Sequence, residues 1–199
     1  RLFVREGAKV VIGARRVDRI AALAAELGDA ALPVAMDVTD EASLIAAYDA
    51  AEAKFGTVDT VICNAGIAHD GRSTHVPAAE MAAVVATNFN GVYLTAREGA
   101  KRMIAAGFKD SERGRIVLIG SITAEMTGQG ETAYAAIKAG VAHLGRQFAR
   151  EWVRQGINVN TIQPGYVQTE IQGDWFDTPG GQAHLNSFHR RRLTPIEAL

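Results

Sequence analysis

Cysteine is scarce in this sequence of 199 residues, which contains only Cys63. A lone cysteine cannot form an internal disulfide, and without a Cys-x-x-Cys pair it favours a reducing, cytoplasmic setting. Long apolar runs are also lacking, because no stretch approaches the roughly 18 to 20 residues that a membrane span requires. The first residues do not have the charged and apolar pattern of a secretory leader. These absences predict a cytoplasmic protein.

An excess of charge of either sign is lacking as well. Lys and Arg together number 21 and Asp and Glu number 22, so the formal net charge is −1. Without a basic surplus, binding to nucleic acid or to an anionic membrane surface is disfavoured. The five histidines show no His-x-x-x-His or His/Cys pairing, so no metal site is expected.

Short β-branched runs alternate with alanine-rich helical stretches up to about residue 163. This alternation predicts βαβ units in a single α/β domain, with a doubly wound parallel sheet and helices on both faces. The predicted strands cover residues 9–14, 31–36, 58–63, 115–120 and 157–162. The predicted helices cover residues 18–27, 40–55, 78–106 and 132–155, with Asp40 as an N-cap and Gly28 and Gly56 as C-terminal stops.

The alternation ends after Pro164. Residues 166–192 are rich in Gly, Asp, Gln and His, and a long irregular segment in a compact α/β chain is more often a functional lid than an accident. The pair Trp175-Phe176 either closes over an apolar substrate or anchors this lid. Arg190-Arg191-Arg192 could meet an anionic substrate tail, but a solvated face is the favoured reading.

Polar, small or turn residues follow all five predicted strands. The carboxyl ends of parallel strands share one edge of the sheet, where ligands bind. Each of these residues could serve in an ordinary turn, but their common position predicts one site. They are Arg15-Arg16, Asp37-Val38, Asn64-Ala65-Gly66, Ser121 and Pro164-Gly165.

Tyr134 and Lys138 are four residues apart near the start of a predicted helix, so they share one helical face. A tyrosine has an ordinary pKa of about 10. A nearby ammonium stabilises the phenolate and lowers that pKa, which suits a general acid and base for an alcohol/ketone couple. Ser121 could hydrogen-bond the same substrate oxygen. The alternative is a tyrosine packed on the core and a lysine in solvent.

With these residues in order, the chain resembles the short-chain dehydrogenase/reductase family over nearly its whole length. Ser121 lies thirteen residues before Tyr134, as in that family's pattern. The residues that carry the resemblance are Asp37-Val38, Asn64-Ala65-Gly66, Thr87-Asn88-Phe89-Asn90-Gly91, Ile119-Gly120-Ser121, Tyr134-x-x-x-Lys138 and Pro164-Gly165-Tyr166-Val167-x-Thr169.

The resemblance implies a Rossmann-type domain that binds NAD(P), over residues 1–199. It also implies that Tyr134 transfers the proton, Ser121 polarises the carbonyl, Lys138 lowers the tyrosine pKa and holds the nicotinamide ribose, and Asn88 belongs to a water-mediated relay. The alternative for Asn88 is a helix-interior side chain satisfied by backbone. The implied cofactor contacts, besides Tyr134 and Lys138, are Asp37, Val38, Asn64, Ala65, Gly66, Pro164, Gly165, Val167 and Thr169.

The choice of nicotinamide cofactor depends on the exit of the second strand of the family's fold, which is the first strand predicted here and reads Gly13-Ala14-Arg15-Arg16. NAD-specific sites place an acid there for the ribose 2′-OH, whereas arginine suits a 2′-phosphate. No acid occurs until Asp18, so the sequence favours NADP(H), with Arg15 on the phosphate. In the alternative reading, both arginines face solvent.

Three functions remain open at this point. The first is an NADP(H)-dependent oxidoreductase that interconverts a ketone and a secondary alcohol, in the manner of 3-oxoacyl-carrier-protein reductases. The second is an NAD-linked alcohol or sugar dehydrogenase. The third is a catalytically silent binding protein of the same fold. The long predicted helices 78–106 and 132–155 resemble those that pair in dimers and tetramers of the family, so a homo-oligomer is expected.

The family's glycine-rich phosphate loop, which follows a central first strand, has no counterpart in these 199 residues. The same is true of a final strand, which the pattern places beyond a helix that starts near Pro195. A sheet without its central strand would have unpaired edges in its middle. The resemblance therefore implies a domain that lacks its first and last strands, and such a chain should neither fold normally nor hold a pyrophosphate.

Overall fold

The computed structural model describes residues 1–68, 71–167, 169 and 174–196. Five strands alternate with helices along the chain. The strands are β1 (Val10–Ala14), β2 (Ala31–Ala35), β3 (Thr60–Cys63), β4 (Gly114–Ile119) and β5 (Ile157–Ile162). The helices are α1 (Leu2–Arg5), α2 (Val17–Leu27), α3 (Glu41–Phe55), α4 (Ala78–Val85), α5 (Gly91–Ala105), α6 (Phe108–Ser111), α7 (Thr132–Trp152) and α8 (Pro179–Ser187).

All strand pairings are parallel, and they form two sheets. One sheet pairs β1 with β2, and the other has the order β3-β4-β5. Within the part of the chain that the structure describes, β1 and β3 each pair on one side only. This confirms the predicted α/β class with parallel strands, and it shows the unpaired edges expected from the sequence.

The helix ends follow from local chemistry. Asp40 has extended backbone angles and its carboxylate accepts the Ala42 amide at 2.9 Å, which starts α3. Gly28 and Gly56 end α2 and α3 at φ angles of 67° and 81°, which residues with a Cβ rarely adopt. The sequence predicts these three positions correctly.

The main core lies where α5 and α7 cover the β3-β4-β5 sheet. Ile116 and Leu118 of β4 have no exposed surface, and neither do Met103 of α5 and Val141 of α7. Each such side chain stabilises the fold by roughly 1.5 to 3 kcal/mol relative to an exposed position. This packing fixes the carboxyl ends of the strands beside the N-terminal half of α7.

Helix α3 is joined to α5 by a cluster of charges around Arg102. Its guanidinium donates to Glu98 at 2.8 Å and to Glu52 at 2.6 Å, and it lies 2.7 Å from Asp49. The Glu98 side chain is only 4% exposed. A buried carboxylate is costly unless it is paired, so Arg102 holds α5 in place against α3.

Two sequence predictions need correction. The predicted helix 78–106 is interrupted by a π-helical turn, Ala86–Asn90, because the Asn88 side chain bonds to the main chain of Ile67 instead of pointing away from its helix. The predicted irregular segment 166–192 contains a short 3-10 turn, Trp175–Asp177, and the helix α8. Thr178 caps α8 by accepting the Gly181 amide at 3.1 Å.

Among the described residues, no helix combines the length and the apolar character needed to cross a bilayer. Of the predicted helix near Pro195, residues 197–199 lie outside the described part of the chain.

Candidate active site

Lys138 joins α7 to the end of β4. Its side chain is buried, and its Nζ donates to the carbonyl oxygen of Ile119 at 2.7 Å. The same Nζ lies over the ring of Tyr134, 5.6 Å from the ring centroid. Burial disfavours the charged amine and lowers the pKa of Lys138 to about 8. The reading in which Lys138 extends into solvent is therefore wrong.

Ser121 follows β4 directly and begins the 3-10 turn Ile122–Ala124. Its side chain is buried, and its Oγ accepts two hydrogen bonds from Thr123, at 3.2 Å from the amide and at 2.9 Å from the hydroxyl. Helix α7 packs against this turn. The structure thus places Ser121 at the same strand end to which Lys138 is bonded.

The exit of β5 lies beside Ser121. The Gly120 amide donates to Ile162 at 2.7 Å, and the Ile122 amide donates to the Pro164 carbonyl at 2.9 Å. Further on, Val167 is buried and forms a parallel bridge with Thr194. Pro164 and Gly165 therefore border the Ser121 turn.

Asn88 is completely buried in the π-helical turn. Its Oδ1 accepts the Ile67 amide at 2.8 Å, and its Nδ2 donates to the Ile67 carbonyl at 2.9 Å. A Cβ on Gly66 would lie 3.5 Å from the same Oδ1, so the loop after β3 passes close to the amide. Asn88 thus ties the helix pair α4–α5 to the exit of β3.

A cleft of about 480 Å³ separates the edges of β1 and β3. It brings together six of the predicted cofactor contacts, which are Arg15, Asp37, Val38, Asn64, Ala65 and Gly66. Arg16, Gly13, Met36 and Ile62 also line it. Among the described residues lining this cleft, Ser121, Tyr134 and Lys138 are not found, so the site has two parts. The π-helical turn that carries Asn88 packs against α7, which carries Tyr134 and Lys138.

Hydrogen bonds stabilise the ionised form of the Asp37 side chain at the rim of this cleft. The Thr39 amide and hydroxyl donate to its Oδ1 at 2.9 and 2.8 Å. These bonds, with a smaller contribution from the nearby Arg15 guanidinium, hold the pKa of Asp37 below its usual range. Arg15 and Asp37 therefore share one end of the cleft.

Val38 is buried against α5 at the floor of the cleft. A Cβ on Gly91 would come within 2.6 Å of Val38 Cγ2, so the close approach requires glycine. This contact explains the glycine at the end of Thr87-Asn88-Phe89-Asn90-Gly91.

An aromatic cluster in the lid was not identified from the sequence as a unit. Tyr166 stacks on Phe188 with ring centroids 5.1 Å apart, and it meets Phe176 and His184 edge to face at 5.8 and 5.3 Å. Phe176 is buried, and Trp175, although 44% exposed, meets Phe176 and His184 edge to face at 4.7 and 5.5 Å. Both members of the predicted pair therefore belong to this cluster. The aromatic residues were visible in the sequence, but their spacing is irregular and gave no periodic signal.

Thr123 and Ile67 are the other site residues that the sequence did not indicate. Thr123 lies two residues after Ser121, and this Ser-x-Thr spacing, typical of a short side-chain turn, was an available signal. Ile67 acts through its main chain, for which no residue pattern exists. Within the described residues, no group of three or more His, Cys, Asp or Glu could hold a metal ion.

Comparison with known proteins supports the same family as the residues do. A sequence model described as short chain dehydrogenase matches residues 1–180. The chain is 38% identical over 174 residues to cis-4-hydroxycyclohexanecarboxylate dehydrogenase of Sinomonas cyclohexanicum, covering 86% of this chain and 68% of that one. It is 31% identical over 170 residues to the 3-oxoacyl-[acyl-carrier-protein] reductase of Vibrio harveyi, covering 85% and 68%.

A third relative, the inactive 2-(S)-hydroxypropyl-CoM dehydrogenase 2 of Xanthobacter autotrophicus, is 38% identical over 178 residues and covers 87% of this chain and 73% of its own. Among solved structures, gluconate 5-dehydrogenase of Burkholderia cenocepacia, in complex with NADP and tartrate, superposes with a TM-score of 0.89 at 30% identity. That match covers 98% of this chain and 76% of that one. The chain therefore belongs to the short-chain dehydrogenase family of oxidoreductases.

Proposed function

We propose that the protein interconverts a ketone and a secondary alcohol with NADP(H). The observation that carries this proposal is the position of Lys138, whose buried ammonium lies over the Tyr134 ring and is bonded at the strand end that leads to Ser121. An aromatic hydroxyl beside a cation can act as a general acid, and a serine hydroxyl can donate a hydrogen bond to a carbonyl oxygen.

The described residues suit the adenosine and nicotinamide ends of a dinucleotide, whereas the family's pyrophosphate loop has no counterpart in the 199 residues. The cleft beside Arg15 and Asp37 suits the adenosine, with Val38 and the loop from Asn64 to Gly66 along its walls. Pro164, Gly165, Val167 and Thr169 would line the nicotinamide, because the β5 exit borders the Ser121 turn. When bound, the cofactor donates or accepts the hydride.

The chain's own side chains would handle the proton and the carbonyl. Tyr134 gives its hydroxyl proton to the substrate oxygen during reduction and takes it back during oxidation. Ser121 donates a hydrogen bond to the same oxygen. Lys138 stabilises the phenolate through its charge and binds the nicotinamide ribose. Asn88 and the Ile67 carbonyl would hold a water molecule through which a proton returns to Tyr134.

The substrate class rests on the two-part site and on the relatives. An apolar lid cluster and a small polar centre suit a ketone with an apolar portion, of which a 3-oxoacyl thioester is one example. The names of two relatives, a hydroxycyclohexanecarboxylate dehydrogenase and a 3-oxoacyl-[acyl-carrier-protein] reductase, refer to different substrates. We infer that the lid side chains of this chain select its substrate, since surface loops vary freely on one fold.

A panel of ketones with NADPH tests the reaction, with 3-oxoacyl thioesters, cyclic ketones and sugar ketones as members. We expect turnover with at least one ketone, and Tyr134→Phe should lower kcat roughly 100- to 10,000-fold, which is the range of general acid catalysis. Equal rates in both proteins would refute the proposal. Cofactor binding without any turnover would favour the silent binding protein instead.

The preference for NADP is tested by substitution at the cleft. Arg15 carries the proposed contact with the 2′-phosphate, so Arg15→Ala should lower kcat/KM for NADPH relative to NADH by roughly tenfold or more, as loss of a charged hydrogen bond would. Arg19→Ala is the control, because Arg19 is exposed on α2 and is not among the residues that line the cleft. An unchanged ratio in Arg15→Ala would contradict this assignment and favour an NAD-linked alcohol or sugar dehydrogenase.

A homo-oligomer is also proposed, built on the outer face of α5 and α7. Tyr93, Phe148 and Trp152 stack there with centroids 5.5 and 4.1 Å apart, beside a groove of about 510 Å³. Ile104 is 41% exposed on this face. Phe148 and Trp152 are buried within the protomer, whereas Tyr93 is 40% exposed, so two copies related by a twofold axis would cover Tyr93 and Ile104. Light scattering should find a dimer or tetramer that Ile104→Glu dissociates, and a wild-type monomer would refute the proposal.

The single buried Cys63 fits a protein of the reducing cytoplasm. This proposal of a cytoplasmic location rests on the same observation as the sequence prediction, namely that the sequence has a single cysteine.

A further inference from the structure

Both hydrogen bonds that Ser121 Oγ accepts come from one residue, Thr123. Thr123 directs both its amide and its hydroxyl at Ser121 Oγ, at 3.2 and 2.9 Å. Ser121 is 9% exposed and Thr123 is 8% exposed, so bulk water competes little for these bonds. The two residues belong to the same tight turn between β4 and α7.

A serine hydroxyl has two lone pairs and one hydrogen. When two donors from Thr123 use the lone pairs, the hydrogen of Ser121 must point away from Thr123. Helix α7, which carries Tyr134 and Lys138, packs against this turn, and Lys138 is bonded to Ile119, two residues before Ser121. The Ser121 hydroxyl can then act toward any further partner only as a hydrogen-bond donor.

We propose that Thr123 is a positioning residue that fixes the Ser121 hydroxyl as a hydrogen-bond donor to the substrate carbonyl oxygen. The proposal rests on the proposed carbonyl chemistry at Ser121. Accepting a hydrogen bond from Thr123 also polarises the Ser121 hydroxyl, since hydrogen bonds in a chain strengthen one another. Without the threonine hydroxyl, Ser121 can rotate and accept a bond instead of donating one.

Substitution can remove the threonine hydroxyl while keeping the turn. Thr123→Val has the same shape and retains the amide bond, so it deletes only the hydroxyl donor. Thr123→Ser retains the donor and deletes a methyl group. One net hydrogen bond corresponds to a rate change of roughly 3- to 15-fold.

The test measures kcat and KM with NADPH and the panel ketone that the wild type reduces fastest. Thr123→Val should lower kcat about 3- to 15-fold, with the dissociation constant of NADPH and the melting temperature close to those of the wild type. Thr123→Ser should stay within about twofold of the wild type. In a Ser121→Ala background, Thr123→Val should have no further effect, because the hydroxyl that it positions is gone.

Several outcomes would overturn the proposal. Thr123→Val could equal or exceed the wild-type rate, which would mean that Ser121 donates to Thr123 in the resting site. The loss could also persist undiminished in the Ser121→Ala background, which would show a general structural effect. If Thr123→Val does not fold, Thr123→Ala replaces it in the same cycle. A wild type without ketone turnover would refute the proposed function itself, and this inference with it.

Discussion

Lys138 shows how one buried side chain can serve both the site and the fold. Its bond to the Ile119 carbonyl fixes α7 against β4, while its ammonium remains over Tyr134. Burial lowers its pKa from 10.5 to about 8. The folded protein therefore carries the cost of a buried cation at neutral pH, and the proposed function gives that charge a use beside Tyr134.

This cost makes the stability depend on pH in a defined direction. Between pH 8 and pH 10.5 the unfolded chain still binds a proton at Lys138 that the folded chain has released, so the free energy of unfolding rises with pH. Relative to Lys138→Met, the wild type should gain up to roughly 3 kcal/mol between pH 7 and pH 10. Urea titrations at several pH values measure this difference.

The matched control for this prediction is Lys101→Met, because the Lys101 side chain is 72% exposed and its ammonium stays in water. We expect its difference from the wild type to change far less over the same range. A wild-type stability that runs parallel to that of Lys138→Met at all pH values would contradict the assignment of a buried cation.

At the scale of elements, residues 174–188 of the predicted lid form a small folded unit that packs against Tyr166. The 3-10 turn Trp175–Asp177 and helix α8 are held together by the Thr178 cap and by Gln182, whose amide donates to the Phe176 carbonyl at 2.6 Å. The stacked pair Tyr166 and Phe188 joins this unit to the strand exit beside Ser121. The lid is thus positioned by packing and caps, not by strand pairing alone.

Two adjacent glycines of α8 allow a sharp test of the lid. A Cβ on Gly181 would collide with the Trp175 carbonyl oxygen, whereas a Cβ on Gly180 would lie 3.9 Å from Thr178 Oγ1, an ordinary contact. Gly181→Ala should therefore displace the lid, raise KM for the ketone roughly tenfold and leave the main core intact. Gly180→Ala should resemble the wild type.

Iodide quenching of tryptophan fluorescence reports on the same change without substrate. Trp175 is 44% exposed and Trp152 is 7% exposed, so the quenchable signal comes from the lid. Quenching should increase in Gly181→Ala and not in Gly180→Ala. Equal quenching in the two variants would show that the lid tolerates the added methyl group.

At the scale of the whole molecule, the two sheets meet across the cleft that holds Arg15 and Asp37. Strand β4 is bonded on both sides, whereas β1 and β3 each have one partner in the described chain. Backbone amides that lack a partner exchange with water more readily. In this 199-residue chain, amide hydrogens of Thr60–Cys63 should therefore exchange faster than those of Gly114–Ile119.

Hydrogen exchange with mass spectrometry measures this contrast in peptides from the two strands. Protection of β3 equal to that of β4 would show that its edge is covered in solution. Because the cleft lies between two sheets rather than along one, its width should also depend on what binds there.

Much of the fold and part of the site could be predicted from the sequence. The alternation of apolar strands and alanine-rich helices determines a parallel α/β class, since each period reports which face of an element is buried. Asp40, Gly28 and Gly56 determine helix ends through local bonds and backbone angles. The spacing of Tyr134 and Lys138 determines that the two side chains share one face of α7.

Other features were decided only by tertiary structure. Asn88 interrupts its helix because Ile67, twenty-one residues away, offers a main-chain partner. Lys138 is bonded to Ile119 at the end of a packed strand, and α8 packs through His184 against Tyr166. Local patterns report only the preferences of neighbouring residues. These three outcomes depend on contacts between distant segments, which exist only when the chain has folded.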